Sequence, residues 1–281
     1  MNARSILAFL FALVLAHPSS GLAQSAQPFA LPSSPDLVVP TMADEALDGL
    51  ITALDDALPA GRAGGDTAGP DADALHSTLW SFARRLQAAR LTAPQQARAL
   101  DGLEAIGQRR PDVAPLLDAP ARMIRTLSVG KTAPDIVGRD LDGGEFRLSD
   151  YRGKVVVLVF SADWCAICRS LYPYERFLVE LYGSWPFAML GVDASATPES
   201  AARSKAKHGL SYRSWWDEPT AGAPDGSISA AWNARGRPTV YVIDGDGVIR
   251  FVDLRYEDLL KGVRQVLNEH MLAVDRATVR R

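Results

Sequence analysis

Cys165 and Cys168 are the only cysteines in the 281 residues, and they lie three positions apart in Trp164-Cys165-Ala166-Ile167-Cys168. Two thiols at this spacing can close a small ring as a disulfide and open it again by thiol exchange, with the thiolate as the reacting form. A helix start favours that form, because it presents unpaired backbone N–H groups and the positive end of the macrodipole. Cys165 is then the expected attacking thiol, and Cys168, one turn on, the resolving thiol. Two other chemistries use a cysteine pair. One is half of a zinc site, but structural zinc takes four ligands, and His17, His76, His208 and His270 are scattered singly away from the pair. The other is an inert disulfide that forms once and stays closed. A C-x-x-C beside a strand-to-helix junction favours the redox reading over the metal one.

The elements around the pair supply that junction. Val155-Val156-Val157-Leu158-Val159-Phe160 is an unbroken apolar run, the pattern of a strand covered on both faces. After Cys168, the residues Leu171, Tyr174, Leu178, Leu181 and Tyr182 form one helical stripe, with Arg169, Arg176 and Glu180 opposite. Pro173 falls inside this stripe and is expected to kink the helix. Phe187 to Val192 reads as a second buried strand, Pro198 to His208 as a polar helix, Ile228 to Trp232 as a short helix and Thr239 to Ile243 as a third strand. Trp215-Trp216 receives no element, and Pro219 to Gly226 reads as a loop. Asp244-Gly245-Asp246-Gly247 makes a hairpin into Val248–Val252, and Leu259, Leu260, Val263, Val266, Leu267 and Met271 line one face of a closing helix. Upstream, Asp142-Gly143-Gly144 reads as another hairpin turn before Glu145–Leu148. The order is β-hairpin, β, α, β, α, β-hairpin, α: an α/β fold with helices on both faces of a mixed sheet.

The rest of the chain divides by composition. Arg4 followed by the apolar run Ile6–Ala16 and the small residues around Gly21-Leu22-Ala23 and Ala26 reads as a signal peptide over residues 1–26. An uncleaved membrane anchor is the competing reading. Either makes the folded part exported, to a periplasmic or other extracytoplasmic compartment where disulfides persist. Residues 27–42 hold Pro28, Pro32, Pro35 and Pro40 and form a linker. Residues 43–126 carry three or four amphipathic helices broken by a Gly-rich loop at 61–70, and Thr92 is placed to cap one of them with Pro94 in its first turn. Their apolar stripes read as core, and no chemistry is visible in this accessory region. The second domain spans residues 127–281. A formal charge of −3 with no basic block argues against nucleic acid as a partner.

With these residues in place, the chain from about 128 to 270 resembles the thioredoxin superfamily, in its exported redoxin/TlpA/ResA-like branch. The resemblance rests on Gly130-Lys131-x-Ala133-Pro134-Asp135, on Leu148-Ser149-Asp150-Tyr151-Arg152-Gly153-Lys154 running into Val155–Phe160, on Trp164-Cys165-x-x-Cys168, on Pro173 five residues after the second cysteine, and on Arg237-Pro238-Thr239. It implies a thioredoxin-like mixed sheet flanked by helices, preceded here by the small helical region. It also implies a cis bond at Pro238, a proline that sequence alone would leave trans. Cys165 and Cys168 are then catalytic, while Trp164, Arg237 and Pro238 contact a substrate polypeptide. Arg237 would lie near the sulfurs, stabilising the Cys165 thiolate and favouring acidic partners; a solvated arginine is the alternative. For Trp164 the alternative is packing alone.

Two departures stand out. Ala166-Ile167 replaces the usual Gly-Pro between the cysteines, so redox poise does not carry over. Val159 stands where most thioredoxins bury an acid, which leaves proton transfer at Cys168 to water, Asp163 or Glu175, with none singled out. The expected activity is an exported thiol-disulfide oxidoreductase acting on protein thiol or disulfide substrates as a reductase. It would draw electrons from a membrane donor and need no metal or organic cofactor. A thioredoxin-fold binding module with a static disulfide is the alternative. A thiol peroxidase is a third reading, but its Pro-x-x-x-Thr-x-x-Cys pattern is absent. The sequence leaves the oligomeric state open.

Overall fold

The computed structural model describes residues 37–39, 41–58, 70–220 and 226–279. The expected signal peptide, most of the Pro-rich linker, and most of the loops expected at 61–70 and 219–226 lie outside the described residues. All the helices and strands named here belong to one unit, which runs from Asp36 onward.

Four helices come first: α1 (Asp44–Ala57), α2 (Pro70–Ala88), α3 (Ala93–Arg109) and α4 (Ala114–Thr126). The start of α3 shows why the chain turns helical there. Thr92 Oγ1 accepts from the Gln95 N–H while Gln95 Oε1 accepts from the Thr92 N–H, and the missing N–H of Pro94 falls in the first turn where no acceptor waits. Leu47 and Leu54 of α1, Leu79, Phe82 and Leu86 of α2, Leu103 and Ile106 of α3, and Leu117 and Ile124 of α4 share one apolar cluster.

A small antiparallel hairpin comes next, β1 (Val137–Arg139) with β2 (Glu145–Arg147). The main sheet holds five strands: β3 (Val155–Ser161), β4 (Phe187–Asp193), β5 (Arg213–Trp216), β6 (Thr239–Ile243) and β7 (Ile249–Val252), in the order β5-β4-β3-β6-β7. Strands β3, β4 and β5 run parallel; β6 is antiparallel to β3, and β7 to β6. All seven residues of β3 are buried, as its continuous apolarity requires for a central strand. Alternation along β3 sends Val156, Leu158 and Phe160 to one face, where they share a core with Ala83 of α2 and Met123 and Leu127 at the end of α4. Helices α5 (Tyr172–Tyr182) and α8 (Tyr256–Val279) pack on each other and against β4 and β3 respectively. The remaining helices are α6 (Pro198–His208) and α7 (Ser227–Ala231). Gly209 ends α6 in the left-handed region, φ 66°, where glycine pays no Cβ penalty.

The fold is the expected mixed α/β layer, with two corrections. Strand β5 is an added edge strand containing Trp215 and Trp216, to which the sequence pattern assigns no element. The kink expected at Pro173 does not occur. The chain first makes a single 3-10 turn, Cys168–Ser170, and α5 starts only at Tyr172, so Pro173 occupies its first turn and removes no helical hydrogen bond.

Candidate active site

The C-terminal end of β3 delivers the chain directly into the cysteine turn. Ser161 pairs with Asp193 of β4, and the Ala194 N–H donates to the Ser161 carbonyl, holding the strand end in register. On the other side Phe160 pairs with Thr239. Pro238 immediately precedes Thr239, so it enters β6 at the same end of the sheet where β3 runs out at Ser161, four residues before Cys165. The Arg237–Pro238 peptide bond is cis.

Cys165 and Cys168 form a disulfide, with Cα atoms 5.3 Å apart. The Cys168 N–H donates to Cys165 Sγ at 3.1 Å. Both cysteines precede the α-helix proper, so the backbone donor that faces the sulfur belongs to the entering turn. A polarised N–H aimed at Cys165 favours its thiolate once the bond is reduced. Cys165 is 6% exposed and Cys168 1%, so the first cysteine is the more accessible residue. Trp164 (61%) and Ile167 (66%) stand out beside them as exposed apolar side chains.

Arg237 reaches across this surface. Its guanidinium carbon lies 5.6 Å from the centroid of the Trp164 ring, within cation–π range, and its Nη2 donates to Ser229 Oγ at 3.1 Å. Ser229 belongs to α7, whose start is held by Asp217: the carboxylate accepts from the Ile228 N–H at 2.8 Å and the Ser229 N–H at 2.6 Å. A Cβ on Gly226 would fall 2.0 Å from Asp217 Cγ, and its φ is 94°, so glycine alone fits the approach to α7. The structure therefore brings Trp164, Arg237, Pro238 and the two cysteines to one end of the sheet.

Behind the disulfide lies a polar network of which the sequence pattern pointed only to Glu175 and Asp163. Cys165 and Cys168 pack with Ala162, Tyr172, Leu210 and Tyr212. The Tyr212 hydroxyl donates to Glu175 Oε2 at 2.8 Å. Glu175 is 1% exposed, and burial pushes its carboxyl up to about 7. Lys205 of α6 contacts the Tyr212 carbonyl and Ser214 Oγ, and burial pushes its ammonium down to about 8. Asp193 accepts from both the N–H and the hydroxyl of Ser195; burial raises its carboxyl, and those hydrogen bonds oppose the rise. Ser195 Oγ in turn accepts the Asp163 N–H at 2.9 Å, two residues before Cys165. The network thus fixes the turn from below.

The apolar stripe of α5 is shifted relative to the expected one. Tyr172, Glu175, Leu178 and Tyr182 are buried, whereas Tyr174 and Leu181 are only half-buried. The spacing 168, 172, 175 carried the signal that Glu175 shares a face with Cys168, but a charged residue on an apolar stripe reads by default as solvent-facing. Tyr212, Lys205, Asp193 and Ser195 come from three separate segments, and nothing local in the sequence joins them.

Known proteins share the second part of this chain. The profile of the AhpC/TSA family matches residues 129–252. A thiol-disulfide oxidoreductase ResA of Geobacillus kaustophilus is 34% identical over 124 residues, covering 44% of this chain and 68% of that protein. The protein of the same name from Geobacillus thermodenitrificans is 32% identical over the same extent. Among solved structures, the thioredoxin domain of a thiol-disulfide oxidoreductase from Bacteroides vulgatus is 25% identical, covering 50% of this chain and 99% of that one, with a TM-score of 0.46.

Proposed function

We infer individual residue roles for a chain that belongs to the thioredoxin superfamily, in its group of ResA-like thiol-disulfide oxidoreductases. The protein is a thiol-disulfide oxidoreductase, and protein thiols and disulfides are its substrate class. In the reductive direction, the Cys165 thiolate attacks one sulfur of a substrate disulfide. A Cys165–substrate mixed disulfide forms and the first substrate thiolate leaves. The Cys168 thiolate then attacks Cys165 Sγ, closes the Cys165–Cys168 bond and releases the second substrate thiolate. Two electrons pass to the substrate, and a dithiol donor restores the pair. The direction is set by the relative potentials of pair, substrate and donor.

The single observation that carries this reading is the closed Cys165–Cys168 bond with Cys165 more accessible and facing the Cys168 N–H. Trp164 and Ile167 offer apolar shoulders to an incoming polypeptide, and the backbone at Arg237–Pro238 offers an edge for it to pair with. The Arg237 charge over the Trp164 ring suits substrate segments that carry acid. The Arg4 and Ile6–Ala16 pattern supports export; for an exported member of this group the electrons would come from a membrane donor. Among the described residues no helix is long and apolar enough to cross a membrane. The composition of residues 27–42 and the separate apolar cluster of α1–α4 support a linker, an accessory region to about 126 and a redox domain beyond it.

A reductase assay on insulin tests the roles. Cys165→Ser should lower the rate about 10³-fold or more, and Cys168→Ser should accumulate a mixed disulfide through Cys165. In the reduced protein, Cys165 should be alkylated faster than Cys168 near neutral pH. A bond that resists mild reduction and shows no turnover makes the pair a static clasp. Peroxide consumption that outpaces insulin reduction and stops in Cys165→Ser makes the protein a peroxidase.

A further inference from the structure

Helices α2 and α4 take no part in the thiol chemistry, yet they grip the segment that leads into Pro238. Trp80 of α2 lies so close to Gly236 that a Cβ there would sit 3.1 Å from the indole Cζ2. Met123 Sδ of α4 accepts from Asn233 Nδ2 at 2.6 Å. Asn233 sits in the left-handed region, φ 46°, an uncommon conformation for a non-glycine residue.

The third contact is a chain of charges. Arg84 of α2 is 7% exposed and forms an ion pair with Asp253, just past β7. Its other nitrogen donates to Gln87 Oε1 at 3.1 Å, and Gln87 is itself fixed by the Leu127 carbonyl at 2.8 Å and the Tyr241 hydroxyl at 2.9 Å. Gln87 thus ties Arg84 both to the end of α4 and to β6. Asp253, also in the left-handed region at φ 61°, spends its second oxygen on two donors: the Val240 N–H at 3.1 Å and Arg255 Nη2 at 3.1 Å. That same Arg255 nitrogen donates to the Pro238 carbonyl at 2.6 Å. The run Arg84–Asp253–Arg255–Pro238 joins the accessory helices to the edge beside Cys165.

We propose that Arg84 is a positioning residue for polypeptide substrates: through Asp253 and Arg255 it fixes the Pro238 carbonyl, and with it the edge that aligns a polypeptide disulfide for attack by Cys165. The proposal rests on the reading that polypeptides dock along Arg237–Pro238. Removing Arg84 strands one oxygen of a partly buried carboxylate. The stranded oxygen of Asp253 then competes with the Pro238 carbonyl for the Arg255 guanidinium, and Arg255 leaves that carbonyl. A displacement of about 1 Å at a docking edge is enough to spoil alignment while leaving the thiols intact.

The test uses the full chain and two oxidised substrates, insulin and the small aromatic disulfide 5,5′-dithiobis(2-nitrobenzoate), which needs no polypeptide edge. In Arg84→Met, KM for insulin should rise five- to tenfold with kcat within twofold. The rate on the small disulfide and the midpoint potential of the Cys165–Cys168 pair should stay as in the parent. Arg84→Lys, which keeps the charge, should recover most of the insulin KM. Asp253→Asn should raise it as Arg84→Met does, and the double variant should be no worse than the single ones. The two milder substitutions carry the test if Arg84→Met does not fold. An unchanged insulin KM overturns the proposal, and so does an equal loss on both substrates, which would make Arg84 a fold-holding residue only. If the parent chain itself reduces the small disulfide but not insulin, the docking reading fails first and the proposal with it.

Discussion

The four helices between Asp44 and Thr126 and the sheet region beyond Val129 both bury continuous apolar cores, but they bury different amounts of polarity. Among the described residues, the only buried polar side chains of the helical region are Arg84 and Gln87, and both point at the joint with β6 and the end of β7. The sheet region buries Ser161, Glu175, Asp193, Ser195, Ser214, Asp217, Ser229, Asn233 and Thr239. Most of these stand at the strand ends that carry the cysteine turn and Pro238, or in the segments packed beside them. Burying a polar group is costly unless it is hydrogen-bonded. Polarity buried at one end of a sheet therefore marks where side chains must be oriented as well as packed. The helical region behaves as a wall; its polar residues matter only where the wall meets the site.

This contrast can be broken by substitution. The largest expected effect is in the wall. Leu103→Ala, at a 2% exposed position in the helical cluster, should cost about 2–5 kcal/mol in urea unfolding. The alkylation rate of reduced Cys165 should stay unchanged below the transition. A matching change in that rate would mean the two regions are not separable in this way.

The next effect belongs to the polar network. Because the folded carboxyl of Glu175 is pushed from 4.5 up to about 7, the folded state holds a proton that the unfolded chain has released between those pH values. Its contribution to stability is full below about pH 4.5 and is lost as pH rises through 7. In Glu175→Gln that slope should flatten by on the order of 3 kcal/mol across the interval. Parallel pH–stability curves for parent and variant would show that the carboxyl is not held neutral. The smallest effect is at the α3 cap, where Thr92→Ala should cost about 1 kcal/mol in thermal unfolding with no change in redox behaviour.

Legibility in the sequence tracked element length and periodicity. Strands β3, β4 and β6, helix α6 and the closing helix are evident because each is a long run whose pattern serves one purpose. Strand β5 is not, because four residues at a sheet edge hold too little alternation, and its two tryptophans are placed by partners elsewhere. Trp215 stacks on Phe146 of β2 at 3.9 Å. The kink expected at Pro173 fails for a local reason: the spacing gives the helix but not the 3-10 turn that delays its start.

The sequence by itself determined the cysteine pair and the strand that leads into it, since two thiols three residues apart and a buried apolar run carry their meaning within a few positions. Only the tertiary structure decided that Glu175 is buried against Tyr212, that Arg237 lies over Trp164, and that Arg84 reaches Asp253 from 169 positions away. Those pairings depend on which surfaces the packed core leaves in contact, and no spacing along the chain encodes that.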